Sequence, residues 1–365
     1  MHFSFRRWDV KIPRTGVVIS DRYLDHDPGP GHPESPGRIK AIKYALKKRG
    51  LLGNESVSVY EPLIALLSEV RLIHTEEYIS KINSICNAGG GAVSLDTVAS
   101  KETYNTALLA VGGGLTAANK VLGGEVQNAF AFIRPPGHHA SYAKANGFCF
   151  FNNIAVLAEY LHRNKGFSRI MIVDLDVHHG NGTQEIFYSS PYVVYLSLHQ
   201  DGRTLYPGTG FPNEIGVAEG KGHIVNIPLP PGTAEESYMF ALEEMLTPIS
   251  DEFKPEFLLI SWGFDTYSKD SIAEIKLSPQ TYTKITNLLL KVAEKHCESR
   301  MVILLEGGYC IPVLGNLASN VVSALAGINN VYREVDISEE SSIKPYVKKI
   351  ISDLKSCLKP FWTGL

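Results

Sequence analysis

The sequence predicts one α/β domain, a doubly wound and mainly parallel sheet with helices on both faces, and three observations carry that prediction. Short apolar runs of strand length alternate with helical patterns whose apolar residues recur at 3.6-type spacing. The runs are greasy along their length, as strands covered on both faces must be. Polar residues gather where the runs end, and in open α/β sheets ligands bind beyond the carboxyl ends of the strands.

Taken in chain order, TGVVIS (15–20) reads as the first buried strand, and the Gly- and Pro-rich loop LDHDPGPGHPESPG leads from it to the helical pattern GRIKAIKYALKKRG. YNTALLAVGGGLTAANKVL is a second helix and NAFAFI (128–133) the next strand. NIAVLAEYLHRN precedes the strand RIMIVDLDV (169–177), and YVVYLSLH (192–199) is a further strand that opens into the loop HQDGRTLYPGTGFPNE. ESYMFALEEMLTPISDEF is helical, FLLISWGFD (257–265) a strand, PQTYTKITNLLLKVAEKHCE helical and MVILLEGG (301–308) a strand. The glycine runs at 89–91 and 112–114 lack the GxGxxG and GxxxxGK[ST] spacings of phosphate loops, so turn and helix-packing roles suffice for them. Without an internal repeat or a Pro/Gly/Ser linker, residues 1–365 read as a single domain, with a core over about 16–330 and a helical extension over 331–365.

A hydrophobic content of 44% and a charged content of 20% are those of a globular chain able to bury a large core. Its 35 basic and 38 acidic residues are mixed, for a net charge of -3, which leaves no electrostatic footprint for nucleic acid or an anionic membrane. The clusters KYALKKRG and VKKI read as solvated helix faces. Five cysteines without a CxxC spacing argue against both a disulfide framework and a thiolate zinc knot, and the reading that follows is a reducing cytoplasm. MHFSFRRWDVKIPRTG offers no apolar stretch suited to a signal peptide, and no run approaches the roughly 20 apolar residues of a membrane span.

The chemistry concentrates in IVDLDVHHGNGTQ (172–184). On an alternating strand Asp174, Asp176 and His178 share one face, with same-face neighbours about 6.5–7 Å apart. Asp176 and His178 are then placed to meet on one ion, with Asp174 a step deeper. A helix-capping role suits Asp176 but not Asp174, because a buried carboxylate without a cation or donor costs several kcal/mol. FLLISWGFD ends on Asp265, which completes the Asp, His, Asp set of an open catalytic metal site. Zinc is the first choice, and a mixed O/N site also suits Fe(II). Two carboxylates offset more of the metal's charge than neutral ligands would, so the site needs further catalytic groups. His138 and His139 in RPPGHHASY suit proton transfer. Tyr309, after the Gly-Gly turn of LEGGY, suits donation to an oxyanion.

Together RPPGHHA, GFCFFNN, DLDVHHGNGTQ, LSLH, YPGTG, SWGFDTY and LEGGY, in this order, resemble the histone deacetylase superfamily, which includes class II lysine deacetylases, bacterial deacetylase-like amidohydrolases and acetylpolyamine amidohydrolases. The resemblance runs over roughly 16–330 and implies the arginase/deacetylase fold. It implies that Asp176, His178 and Asp265 bind zinc, that His138 is oriented by Asp174, and that His139 is oriented by Asn181, where class I members carry Asp. It further implies attack of metal-activated water on an amide polarised by the metal and Tyr309. Phe148 and Tyr206, with Gly147 and Gly307, match the acyl-lysine tunnel, and Asp96 matches a rim aspartate that grips the substrate backbone. A structural potassium site is implied around Asp174, Asp176, His178, Ser197 and Leu198, and Arg38 resembles an arginine near an internal acetate channel.

Two departures stand out: Trp262 replaces a small residue and is expected to narrow the space behind the metal, and DSIAEIKLS replaces the commoner DPLG-containing segment. The expected substrate is an acylated lysine peptide. The alternatives are an acetylpolyamine or other small acylated amine and, more remotely, a non-catalytic acyl-lysine binder. The sequence is silent on oligomeric state.

Overall fold

The computed structural model describes residues 15–365. MHFSFRRWDVKIPR, read above as unsuited to a signal peptide, lies outside them. The strands are Thr15–Val18 (β1), Val57–Tyr60 (β2), the hairpin Gly90–Ala92 (β3) and Val98–Ser100 (β4), Asn128–Ala131 (β5), Ile170–Asp174 (β6), Val193–Gln200 (β7), Ile224–Leu229 (β8), Phe257–Trp262 (β9) and Met301–Leu305 (β10). The helices are Gly37–Lys48 (α1), Leu67–Val70 (α2), Glu76–Asn87 (α3), Thr103–Leu122 (α4), Asn153–Lys165 (α5), Asn181–Phe187 (α6), Glu235–Phe253 (α7), Pro279–His296 (α8), Ile311–Leu325 (α9) and Ile343–Leu358 (α10).

Eight strands form one sheet in the order β2-β1-β5-β10-β9-β6-β7-β8, and every neighbouring pair is parallel. All residues of β1 and of β5 to β10 are buried, which is why six of those strands stand out as unbroken apolar runs. The two outermost strands escaped that reading for opposite reasons. β2, VSVY, is short and has only its first residue buried, whereas β8, IVNIPL, is interrupted by Asn226 and by Pro228, a residue that an edge strand tolerates.

Register decides which helices cover which face. Leu304 pairs with Ser261 and touches the α4 stripe at Gly114, while Trp262, one residue further along β9, faces Tyr282 of α8. α4 and α5 therefore lie on one side, and α8, packed on α9 and through it α1, lies on the other. The glycines at 112–114 serve close packing: a Cβ on Gly112 would stand 1.8 Å from the Leu63 carbonyl, and one on Gly113 would stand 2.4 Å from the Tyr23 hydroxyl. Residues 331–340 have no regular structure; α10 then packs against α7 and β8 through Val347, Ile351 and Leu354, and Trp362 Nε1 donates to the Gly222 carbonyl at 2.8 Å.

Four adjacent strands, β5, β10, β9 and β6, sit at the middle of the sheet, and the loops leaving their carboxyl ends carry the polar residues. The sheet thus delivers four chain segments to one place.

Candidate active site

β6 ends at Asp174, so the strand alternation expected to run through His178 stops four residues short. A bend performs the convergence instead. Asp174 Oδ1 accepts the Asp176 N–H at 3.2 Å, and Asp176 Oδ1 accepts the His178 N–H at 2.9 Å, so each acidic side chain folds the chain that follows it. The bend is also tied across to β9, since Asp265 Oδ1 accepts the Val177 N–H at 3.0 Å.

Asp176, His178 and Asp265 are buried and bring one potential ligand atom each within 4.8 Å of the others. His178 Nδ1 lies 3.0 Å from Asp176 Oδ1 and 3.3 Å from Asp265 Oδ2, and Asp265 Oδ2 accepts no well-formed hydrogen bond despite its burial. Burial, then the charge of Asp176, raises the Asp265 carboxyl to about 7. Burial opposes charge on His178, but the neighbouring Asp176 and Asp265 carboxylates outweigh it and hold the imidazole up at about 9. The cradle is close-fitting as well, because a Cβ on Gly307 would stand 2.0 Å from Asp265 Oδ2 and one on Gly263 would stand 2.3 Å from Asp176 Oδ2. Two carboxylates and an imidazole whose potential ligand atoms converge in this way fit a divalent cation.

The segment after β5 supplies His138 and His139, whose ring centroids are 4.0 Å apart but whose surroundings differ in charge. His138 Nδ1 donates to Asp174 Oδ2 at 3.0 Å, since a carboxylate can only accept, and the same oxygen accepts the Tyr195 hydroxyl at 2.8 Å. Burial opposes charge on His138, but Asp174, Asp176 and Glu306 prevail and lift its pKa to about 10. His139 Nδ1 lies 2.7 Å from Asn181 Oδ1, a neutral partner. Burial and the positive fields of His138 and His178 hold it well below the usual imidazole range. Glu306 fastens the turn that presents this pair: Oε2 accepts the Gly137 and His138 N–H groups at 2.7 and 3.2 Å, and Oε1 accepts the Ser261 hydroxyl at 3.0 Å.

An apolar slot of about 240 Å³ leads down to these groups, and every residue expected along the substrate path, Asp96, Gly147, Phe148, Tyr206, Gly307 and Tyr309, lines it. Gly147 has φ +52, and a Cβ there would stand 2.2 Å from the His139 ring, so glycine alone lets the wall lie on the histidine. Asp96, in the β3–β4 turn, accepts the Gly147 N–H at 3.2 Å and thereby fixes that wall. Tyr206 packs its ring edge-on to His139 at 5.1 Å, and Phe148 and Tyr309 likewise meet edge-to-face at 6.0 Å. Burial pushes the Tyr309 phenol well above its ordinary pKa against the opposing charge of Arg38, whose guanidinium lies 5.0 Å from the ring centroid.

Behind the floor, Arg38 also donates to the Glu306 and Gly308 carbonyls and to Glu34, and Arg134 grips the same Glu34. Trp262 points to the α8 side, against Tyr282 and Phe264, rather than to the face that Asp174 shares with Ser261. The expected narrowing behind the metal therefore does not come from its ring. Ser197 lies opposite Asp174 in register, with Leu198 next along β7, and Ser197 Oγ meets His199 Nδ1 at 2.8 Å.

Several supporting residues were not singled out from the sequence. Glu306 stands inside LEGGY itself, and Tyr195 inside YVVYLSLH. Leu205, Ile272 and Pro136 complete the slot. His179 and His199 pin the loop that carries Tyr206, through Thr209 Oγ1 at 2.8 Å and the Gly210 carbonyl at 2.9 Å. A charged residue directly after an apolar strand is the available signal for Glu306; nothing local marks Leu205 or Ile272.

The sequence and the fold both match known proteins. The family description "Histone deacetylase domain" matches residues 32–325. A probable deacetylase of Archaeoglobus fulgidus is 40% identical over 357 residues, covering 95% of this chain and 98% of that protein. A histone deacetylase-like amidohydrolase of Pseudomonas aeruginosa is 34% identical over 327 residues, covering 90% and 85%. The crystal structure of the HDA15 HD domain superposes with a TM-score of 0.87 at 32% identity, covering 96% of both chains. An α/β sheet with this acid-, histidine- and tyrosine-bearing edge, matched to such relatives, is a hydrolase of the deacetylase and amidohydrolase class. Within that class the chain belongs to the histone deacetylase family. Among the described residues no helix is long and apolar enough to cross a membrane.

Proposed function

We propose that the protein is a zinc-dependent deacylase that removes acetyl or another acyl group from lysine side chains. The observation that carries this reading is the meeting, at the bottom of one apolar slot, of a cation-seeking Asp–His–Asp set, two imidazoles in opposite fields and a protonated tyrosine. Asp176, His178 and Asp265 would hold Zn²⁺, and Fe²⁺ suits the same donors. When bound, the ion supplies Lewis acidity that polarises a carbonyl and eases the deprotonation of water.

The chain's own groups supply the rest. Asn181 Oδ1 accepts a hydrogen bond from the Nδ1–H of His139 and so leaves Nε2 a lone pair for the proton of an attacking water. Tyr309 keeps its hydroxyl proton and donates to the carbonyl oxygen as charge develops there. His138, held protonated by Asp174, Asp176 and Glu306, stands beside its partner to give the departing amine a proton. Phe148 and Tyr206 shape a neutral slot that suits an acylated lysine, whereas the product amine, with a pKa near 10.4, is charged and leaves. Asp96 sits where it can take a substrate backbone N–H. Asp174, Asp176, His178, Ser197 and Leu198 offer oxygen donors for a structural potassium ion. All five cysteines are unpaired, which supports a reducing compartment.

Chelated and metal-restored protein, assayed with acyl-lysine peptide reporters beside N-acetylputrescine, tests the reading. Hydrolysis of the peptide that disappears on chelation and returns with Zn²⁺ supports it. A large preference for N-acetylputrescine replaces the substrate, and hydrolysis by fully demetallated protein overturns the reading outright.

A further inference from the structure

We propose that Asp270 is a positioning residue for Tyr309: its carboxylate ties the loop after Asp265 to the turn that carries the tyrosine and so sets where the phenol stands over the slot. The inference rests on the reading of Tyr309 as donor to the substrate carbonyl.

Asp270 is buried, and its carboxylate is shared between two segments of chain. Oδ2 accepts the Tyr309 N–H at 2.6 Å and the Cys310 N–H at 3.0 Å, while Oδ1 accepts the Ile272 N–H of its own loop at 3.3 Å. That loop is itself anchored. The Asp270 N–H donates to the Tyr267 carbonyl at 2.8 Å, and Leu277 bonds the backbone of Thr266 and Ser268 at 3.0 and 3.1 Å. The loop therefore has a fixed frame to lend.

The turn it holds needs one. Gly308 has φ +114, and Tyr309 and Cys310 present N–H groups ahead of the first residue of α9, where backbone donors have no partner within the helix. A carboxylate at that end satisfies both donors and faces the positive end of the helix dipole. Arg38 and Phe148 set the tilt of the phenol ring, but its depth over the floor follows the position of the Tyr309 backbone. Asp270 sets that position. Because Ile272 also lines the slot, one carboxylate fixes two of its walls relative to each other. The segment DSIA, which departs from the commoner family pattern, thus keeps at its first residue a group with a definite task.

The test uses the metal-loaded protein and the best acyl-lysine peptide reporter. Asp270→Asn is expected to lower kcat about 10- to 100-fold, the size of loss that displacement of a reacting group produces, with metal content unchanged and KM within about twofold. In a Tyr309→Phe background the same substitution is expected to cost less than about twofold, since the hydroxyl it positions is gone. An unchanged kcat, or an equal loss in both backgrounds, overturns the tether while leaving the role of the hydroxyl standing. Tyr309→Phe with full activity overturns that role and the tether with it. Should Asp270→Asn fail to fold, amide hydrogen exchange on the parent protein decides: slow exchange at Tyr309 and Cys310 supports the tether, and exchange at the rate of open backbone overturns it.

Discussion

The floor of the slot and its walls are built on different principles. On the floor, Asp174, Asp176, His178 and Asp265 leave the tips of neighbouring central strands, and their carboxylates are bonded to backbone N–H groups of the same bend or to each other's surroundings. Along the walls, Phe148, Leu205, Tyr206 and Ile272 arrive on long loops, and Tyr206 remains 39% exposed. A strand tip in the middle of a parallel sheet is fixed by hydrogen bonds on both sides, whereas a loop is fixed only by what it happens to touch. On the proposed reading, the reaction falls to groups at the strand tips and the choice of substrate to groups carried by loops.

Substitutions can break that contrast or sharpen it. The largest effect is expected for Asp265→Asn, which removes one of two anions facing the ion: metal content measured by mass spectrometry should drop, and hydrolysis should fall by about three orders of magnitude or more. Retention of both metal and rate would mean that the floor is not what the chemistry uses. Tyr309→Phe should lower kcat about 10²- to 10³-fold with metal content intact, as removal of an oxyanion donor does. Glu306→Gln removes charge beside His138 while keeping most of the shape, and kcat is expected to fall about 10-fold with little change in KM. A substitution in the wall should be milder and different in kind. Leu205→Ala should change kcat/KM by about 10-fold or less and shift the preferred acyl length in a reporter panel. A uniform loss across that panel would place Leu205 with the floor.

The same division governs what was legible in the sequence. Strands buried on both faces show as unbroken apolar runs, so the centre of the sheet could be read, and Asp174, Asp176 and Asp265 were conspicuous because charge interrupts grease. β2 and β8 were not read, since an edge strand has a wet side and admits Pro228. Strand alternation predicts that Asp176 and His178 meet, but a bend fastened by the aspartates themselves brings them together. α9, by contrast, lay unread in IPVLGNLASNVVSAL because its apolar stripe is broad, with Gly315 inside it packed against α1. Motif resemblance marks Phe148 and Tyr206 in the slot walls but does not mark Leu205 or Ile272. Their contribution depends on how loops far apart in sequence lie against each other, and no local pattern encodes that.

The three consecutive glycines of α4 have a bearing on how the protein assembles. Each costs the helix about 1 kcal/mol relative to alanine, so this 20-residue segment gives up roughly 3 kcal/mol of intrinsic helicity in exchange for backbone contact with the loop at Leu63 and with Tyr23. Cut out as a peptide, residues 103–122 would be expected to spend most of their time unwound. The segment owes its helical shape to the surface it packs on, the β1, β5 and β10 side of the sheet.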